Sequence, residues 1–342
     1  MTAISAIEPS STMAAAVVVN RSFLFLPFIE SSENVKIWLY RPKIFLTNAA
    51  VYIHNMVMKA VNNENRIRIL APAKVNLTLE VLGRLPNGYH ELRTVMHAID
   101  LYDEIFISKN DTGEINVSCS EPLPVNNTAY KAARLFCDLA GCKGADIYVE
   151  KRIPSEAGLG GASADAAGVL AGMQALFGSI AQERLFEIGK AVGADVPFCL
   201  LGGCALAEGI GEVLTELEPK ELILLLVKGA KGISTGALFS AIDSAGFDPN
   251  TDEKRFRKSA LGEGRLYNDL LIPAVLEAPE IEQYRKRLLE YGAADAMMTG
   301  SGSVVYGVFE SEAVAVEAFE RFSDCTFRQI VHTVPNGVVI VE

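Results

Sequence analysis

The chain has 342 residues, half of them apolar, and carries 31 Lys and Arg against 42 Asp and Glu for a net charge of −11. That length supports a large core shared by about two domains, and the acidic balance excludes a protein that lives on non-specific phosphate-backbone contacts, while leaving room for one small anion held locally. Cysteines at 119, 137, 142, 199, 204 and 325 form no CxxC pair and the four histidines show no metal-ligand spacing, so reduced thiols in a cytosol and no structural metal are expected.

The first 65 residues differ from the rest: no glycine occurs before Gly83, and the apolar run "MAAAVVVNRSFLFLPFIE" is broken by Asn20, Arg21 and Ser22. A secretory signal needs a basic start before an unbroken apolar run, and a membrane span needs ~20 apolar residues. Neither is present. Residues 1–65 are expected to be a poorly ordered or dispensable extension, or the result of an upstream start codon with Met56 or Met58 as the working start.

From Arg66 the pattern becomes regular. "RIRILAPAKVNLTLEV" (66–81) alternates, with Val75, Leu77, Leu79 and Val81 on one face, and predicts a half-buried strand. Pro86-Asn87-Gly88 predicts a turn, and short strands are expected at 104–108, 114–118 and 146–151. Ala129, Ala132, Ala133, Leu135, Phe136 and Leu139 recur at helical spacing; a small-residue helix follows near 163–176 and an amphipathic one near 181–191, closed by Gly193. The apolar run 221–230 predicts a central strand, and 243–264 reads as a polar surface loop. Helices near 280–291 and 311–322 and strands at 303–309 and 337–341 complete the chain. Strands and helices mix without a strict βαβ repeat, so the expectation is an α+β protein with domains at 66–219 and 220–342, joined near Pro219.

Four stretches carry candidate chemistry. "PSEAGLGGASADAAGVLAGM" (154–173) crowds glycines against a helix start, where unpaired amides and a partial positive charge attract phosphate and a missing Cβ lets it approach. No GKS or GKT follows, so it is not a Walker loop, and a Gly-rich turn before a helix, taken alone, is more often structural. "PAKVNL" (72–77) sets Lys74 and Asn76 in an apolar strand, where a surface lysine is the simpler reading. "GADVPF" (193–198) holds Asp195, either a turn residue or a partly buried carboxylate suited to proton transfer. "TGSGS" (299–303) is a second Gly/Ser turn leading into a strand.

Together, "APAKVNL", "PSEAGLGGASADAA", "GADVPFCLLGGCALAEGIGE" and "MTGSGS" resemble the GHMP kinase superfamily, and "NGYHEL", "EKRIP" and "GISTGALF" bring the chain closest to its 4-diphosphocytidyl-2-C-methyl-D-erythritol kinases. The resemblance covers 66–342. It implies an N-terminal domain like domain 2 of ribosomal protein S5, a ferredoxin-like C-terminal domain, ATP as phosphoryl donor with Mg²⁺, and a small-molecule substrate, with no nucleic acid or membrane partner. Lys74 and Asp195 are then catalytic, with Asp195 the base and Lys74 orienting it. Pro154, Ser155, Glu156, Ala157, Gly158, Leu159, Gly160, Gly161, Ala162, Ser163 and Ala164 would hold the ATP phosphates, with Asn127 and Lys151 on the adenine side. Tyr89, His90 and Phe239 would surround a cytosine, and Asn76 and Thr235 would lie near the sugar–phosphate portion of the substrate. The usual Ser-Ser pair at the loop's end is Ser163-Ala164 here, so no protein ligand to the metal is assigned. A mevalonate- or homoserine-type kinase of the same superfamily would have no use for the cytosine-side residues, and a non-catalytic nucleotide-binding protein would need neither Lys74 nor Asp195.

Overall fold

The computed structural model describes residues 37–39, 43–44, 51–52, 66–178, 180–244, 256 and 265–341. The expected extension, 1–65, lies for the most part outside the described residues, but Ile37–Leu39 (β1) pairs antiparallel with the C-terminal strand. Lys43–Ile44 (β2) and Val51–Tyr52 (β3) form a small ribbon.

The spine of the molecule is one long hairpin, Arg66–Arg84 (β4) and His90–Lys109 (β5), joined by the predicted turn. Register shifts at Pro72/Ala73, Asn76/Thr78 and Val81/Gly83 bend it, so its two halves recruit different neighbours. At the open end, β5 pairs with Ala145–Glu150 (β7), which pairs with Ile115–Cys119 (β6), while β4 pairs with Val339–Val341 (β15). Toward the turn, β5 pairs with Cys204–Gly209 (β8), itself paired with Val213–Leu217 (β9), and β4 takes Tyr267–Asn268 (β11) in parallel. The described strands thus make a nine-stranded sheet in which the C-terminal β15 lies between β1 and β4.

Two expectations about the hairpin need correction. β5 runs through 90–109 rather than 104–108, because its charged residues are paired rather than exposed: Arg93 Nε and Nη2 reach Glu80 Oε2 at 2.9 and 2.6 Å. β4 is buried on both faces over 71–81 rather than on one; the polar face of Lys74, Asn76, Thr78 and Glu80 is covered, so Lys74 is no surface lysine.

Helices Thr128–Ala140 (α1), Gly161–Phe177 (α2), Gln182–Val192 (α3) and Val196–Leu201 (α4) stack together, with α2 against β4 and β5. Small residues let α2 press close: a Cβ on Gly168 would lie 2.3 Å from Ile105 Cδ1, and one on Gly172 would lie 2.7 Å from Ile107 Cδ1. The Cys137 and Cys142 sulfurs form a disulfide with Cα atoms 4.8 Å apart. This corrects the expectation of reduced thiols for that pair: Gly141, at φ 67°, turns the chain back at the end of α1 and brings them together. Cys119, Cys199, Cys204 and Cys325 are free.

The second sheet is fully antiparallel, ordered Asp295–Met298 (β12), Val305–Phe309 (β13), Ile223–Lys228 (β10) and Phe327–His332 (β14). The predicted apolar strand is indeed interior, as β10. Helices Thr235–Ser244 (α5), Leu271–Glu277 (α6) and Glu280–Glu290 (α7) follow β10, and Glu312–Glu320 (α8) joins β13 to β14. Its first strand lies between its third and fourth, the ferredoxin-like arrangement expected for this part of the chain. α5 continues through Ser244 into the stretch expected to be loop; residues 245–255 and 257–264 lie outside the described residues. Among the described residues no helix is long and apolar enough to cross a membrane.

Candidate active site

Lys74 and Asn76 occupy the bent middle of β4, two residues apart and therefore on one face. The Lys74 backbone N–H donates to Leu159 O at 3.0 Å, and its buried ammonium donates to Asn76 Oδ1 at 2.7 Å. Asn76 is held in turn: its Nδ2 donates to Thr94 Oγ1 at 2.8 Å, and its carbonyl accepts from the Tyr306 hydroxyl at 2.8 Å.

Asp195 comes from the junction between α3 and α4. Gly193 ends α3, and Asp195 opens α4 with its backbone carbonyl accepting from Cys199 N, while its side chain makes no capping bond. The carboxylate is thereby left to face Lys74, with Oδ2 3.4 Å from Nζ and a third of the side chain exposed. Burial and the neighbouring Asp195 charge push the Cys199 thiol far above its ordinary range, which removes it as a competing nucleophile.

The glycine-rich loop passes directly over this pair. Gly158 and Gly160 have φ of +72° and +74°; a Cβ on Gly158 would sit 2.0 Å from the Thr299 carbonyl oxygen, and one on Gly160 3.0 Å from Lys74 Cγ. Glycine is required there by both backbone conformation and space. The loop is pinned to the second Gly/Ser turn, with Ser303 N donating to Glu156 O and Val304 N to Ala157 O, each at 3.2 Å. The Thr299 hydroxyl accepts from Asn76 N at 3.0 Å and donates to Gly158 O at 3.2 Å, so one side chain ties three of the four sequence stretches together. Ala157, Leu159 and Ala164 are buried anchors, Pro154 is half-buried, and Ser155, Glu156 and Ala162 are exposed. No side chain caps α2, and the amides of Gly161 and Ala162 have no acceptor among the described residues. Ser163 lies in the first turn, its amide bonded to Gly160 O. This is an anion cradle: two spare amides, a helix start and a buried ammonium close by.

Beside the cradle, β6 and the start of α1 enclose a cavity of about 510 Å³, lined by residues including Asn116, Ser118, Leu123, Pro124, Asn127 and Tyr130. Asn127 caps α1, accepting from Tyr130 N at 2.9 Å and donating to Pro124 O at 3.0 Å, and Thr128 Oγ1 donates to Ala162 O at 2.6 Å. The cavity therefore adjoins the end of the loop. Lys151 turns away from it: its buried ammonium lies 2.5 Å from Asp103 Oδ2 and 2.8 Å from Asp165 Oδ2, beneath Gly161. Burial works to lower the Lys151 pKa, and the Asp165 and Asp103 charges outweigh it and hold it above its ordinary value. Asp103 Oδ1 also accepts from the Arg152 and Ile153 amides at 2.6 and 2.8 Å.

The residues expected around a base gather where the hairpin tip meets α5. His90 and Phe239 stack with ring centroids 4.6 Å apart, and Tyr89 stands exposed at the hairpin tip. Thr235, at the start of α5, shares a hydrogen bond of 2.7 Å with Ser301 of the second Gly/Ser turn. Thr299, Asp243 and Asp103 were not singled out from the sequence. Thr299 opens a stretch that was, and Asp243 follows Phe239 by one helical turn; nothing near Asp103 in the sequence marks it.

The chain as a whole is similar to known proteins. A family model described as the GHMP kinases N terminal domain matches residues 127–203, and one described as the GHMP kinases C terminal matches 250–327. A 4-diphosphocytidyl-2-C-methyl-D-erythritol kinase of Clostridium tetani (strain Massachusetts / E88) is 43% identical over 267 residues, covering 75% of this chain and 95% of that protein. One from Alkaliphilus metalliredigens (strain QYMF) is 39% identical over 273 residues, covering 75% and 93%. A crystal structure of 4-(cytidine 5'-diphospho)-2C-methyl-D-erythritol kinase superposes with a TM-score of 0.67 at 35% identity, covering 78% of this chain and 98% of that one. Homoserine kinase from Cytophaga hutchinsonii shares the fold, with a TM-score of 0.59 at 17% identity and coverage of 85% and 100%.

Proposed function

Because the chain belongs to the 4-diphosphocytidyl-2-C-methyl-D-erythritol kinase family of the GHMP kinases, we propose that it transfers the γ-phosphoryl group of ATP to the 2-hydroxyl of 4-diphosphocytidyl-2-C-methyl-D-erythritol, a step of non-mevalonate isoprenoid precursor synthesis. The observation that carries the mechanism is the Lys74–Asp195 pair, 3.4 Å apart beneath Gly160. Asp195 accepts the proton of the substrate hydroxyl as that oxygen attacks phosphorus. Lys74, fixed by Asn76 and by its buried position, holds Asp195 in place and offsets charge that builds on the transferred group. The O–P bond to the new acceptor forms as the bond to the β-phosphate breaks, and ADP leaves.

The loop from Pro154 to Ala164 takes the phosphates on its free amides, and the adjoining cavity at Asn127 takes the adenine. Lys151 acts from beneath the loop rather than on the base. Mg²⁺ would arrive with ATP and supply charge neutralisation, its donor set being the phosphates with no protein ligand assigned; the described residues include no cluster of three His, Cys, Asp or Glu that would hold it alone. Asp165, engaged by Lys151, is not part of that set. His90 and Phe239, with Tyr89, receive the cytosine, and Asn76 and Thr235 face the polar linkage between base and alcohol. We assign the ATP-binding and catalytic domain to 66–219, the C-terminal domain to 220–342, and the activity to the cytosol.

An ADP-release assay with three acceptors tests the reading. Turnover is expected with the cytidine substrate and not with mevalonate or homoserine; turnover with either of those in place of the cytidine compound would overturn it.

A further inference from the structure

His90 and Phe239 are held by a residue that the mechanism has not used. Asp243 follows Phe239 by four positions, so both side chains leave the same face of α5. Its Oδ1 lies 2.7 Å from His90 Nε2, and its Oδ2 lies 3.4 Å from Arg84 Nη1, at the end of β4. One helix thus presents a ring to the face of the imidazole and a carboxylate to its edge. His90 is 8% exposed and Asp243 bridges 153 positions of sequence to reach it, so the ring has little freedom to turn. Its Nδ1 makes no hydrogen bond among the described residues.

We propose that Asp243 is a positioning residue that sets which pyrimidine the enzyme accepts, by fixing the tautomer and plane of His90. This rests on reading His90 and Phe239 as the base subsite. A carboxylate only accepts, so Nε2 carries a proton toward Asp243, and in the neutral form of the ring that leaves Nδ1 as the acceptor. Cytosine offers an amino group at position 4, a donor that matches it. Uracil offers an oxygen there, which sets lone pair against lone pair. Without Asp243 the ring can exchange its proton between nitrogens and present a donor instead, and the preference is lost. A site built to hydrogen-bond one group discriminates strongly because a wrong ligand leaves buried polar atoms unpaired.

The test compares the cytidine substrate with its uridine counterpart as acceptors for wild type, Asp243→Ala, Asp243→Asn and Arg84→Met. Asp243→Ala is expected to raise KM for the cytidine compound about tenfold and lower the cytidine-to-uridine ratio of kcat/KM by about tenfold, with KM for ATP unchanged. Asp243→Asn keeps an acceptor oxygen toward Nε2 and should restore most of the preference, which a merely structural role would not require. Arg84→Met should leave the ratio as in wild type. An unchanged ratio in Asp243→Ala, or an equal loss in Arg84→Met, overturns the proposal. A wild-type enzyme that already treats the two pyrimidines alike would overturn the base-subsite reading itself, and this proposal with it.

Discussion

Replacing Asp195 with Asn is expected to lower kcat by about 10²–10⁴-fold, the usual contribution of a positioned general base, while KM for ATP stays near wild type. The change is isosteric and removes the ability to take a proton together with the charge that faces Lys74. Asp195 makes no capping bond to α4, so the helix does not depend on its charge. Lys74 keeps its hydrogen bond to Asn76 Oδ1, and the amides of the loop are untouched. The melting temperature should therefore move little. Steady-state kinetics beside a thermal melt reads both quantities. A variant that folds, binds ATP and turns over near the wild-type rate would remove Asp195 from the chemistry.

The second large effect is on stability. Lys151→Met is expected to destabilise the fold by about 3–5 kcal/mol, as is usual when one member of a buried ionic group is removed. Asp103 and Asp165 are both buried, and the ammonium is their shared cation. Without it, Asp103 retains the Arg152 and Ile153 amides, but Asp165 has no replacement; its Oδ1 is already sealed without a partner. Adding Asp165→Asn to Lys151→Met should recover part of the loss, measured by denaturant unfolding. The wild type carries a related pH signature. Burial raises the Asp165 pKa from 3.8 to about 7, against the opposing pull of Lys151. Between those values the native state binds the proton more tightly than the unfolded chain, so this group's contribution makes stability fall as pH rises through that window and level off above it. Asp165→Asn alone should abolish that contribution. A Lys151→Met protein as stable as wild type would show that the triad is not a structural post under the loop.

Much of this was legible because local rules and tertiary demands agree in the relevant stretches. Alternation marks β4, and small residues after Gly160 mark a helix that must pack closely on Ile105 and Ile107. The four motif stretches do meet, through Thr299, Lys74 and the loop. Where partners lie far along the chain, the sequence is silent. β5 looks irregular because Arg93, Asp103 and Glu104 are neutralised by Glu80, Lys151 and the pair Arg68 and Arg152, none of them neighbours in sequence. α4, "VPFCLL", is six apolar residues with no period to read. Asp243 is one acidic residue at the edge of a polar stretch until α5 turns it onto His90. Cys137 and Cys142 are unremarkable at a spacing of five until Gly141 reverses the chain between them.

The central claim is a phosphoryl transfer to one particular hydroxyl, and phosphorus NMR of the product tests it most directly. C2 of the methylerythritol unit carries the methyl group and no hydrogen, whereas C1 and C3 do carry hydrogens. With ATP and the cytidine substrate, the account predicts a new phosphomonoester signal without three-bond coupling to a carbinol proton, alongside an intact diphosphate. A new signal split into a doublet or triplet would place the phosphate on another hydroxyl, and no phosphomonoester at all would contradict the assignment outright.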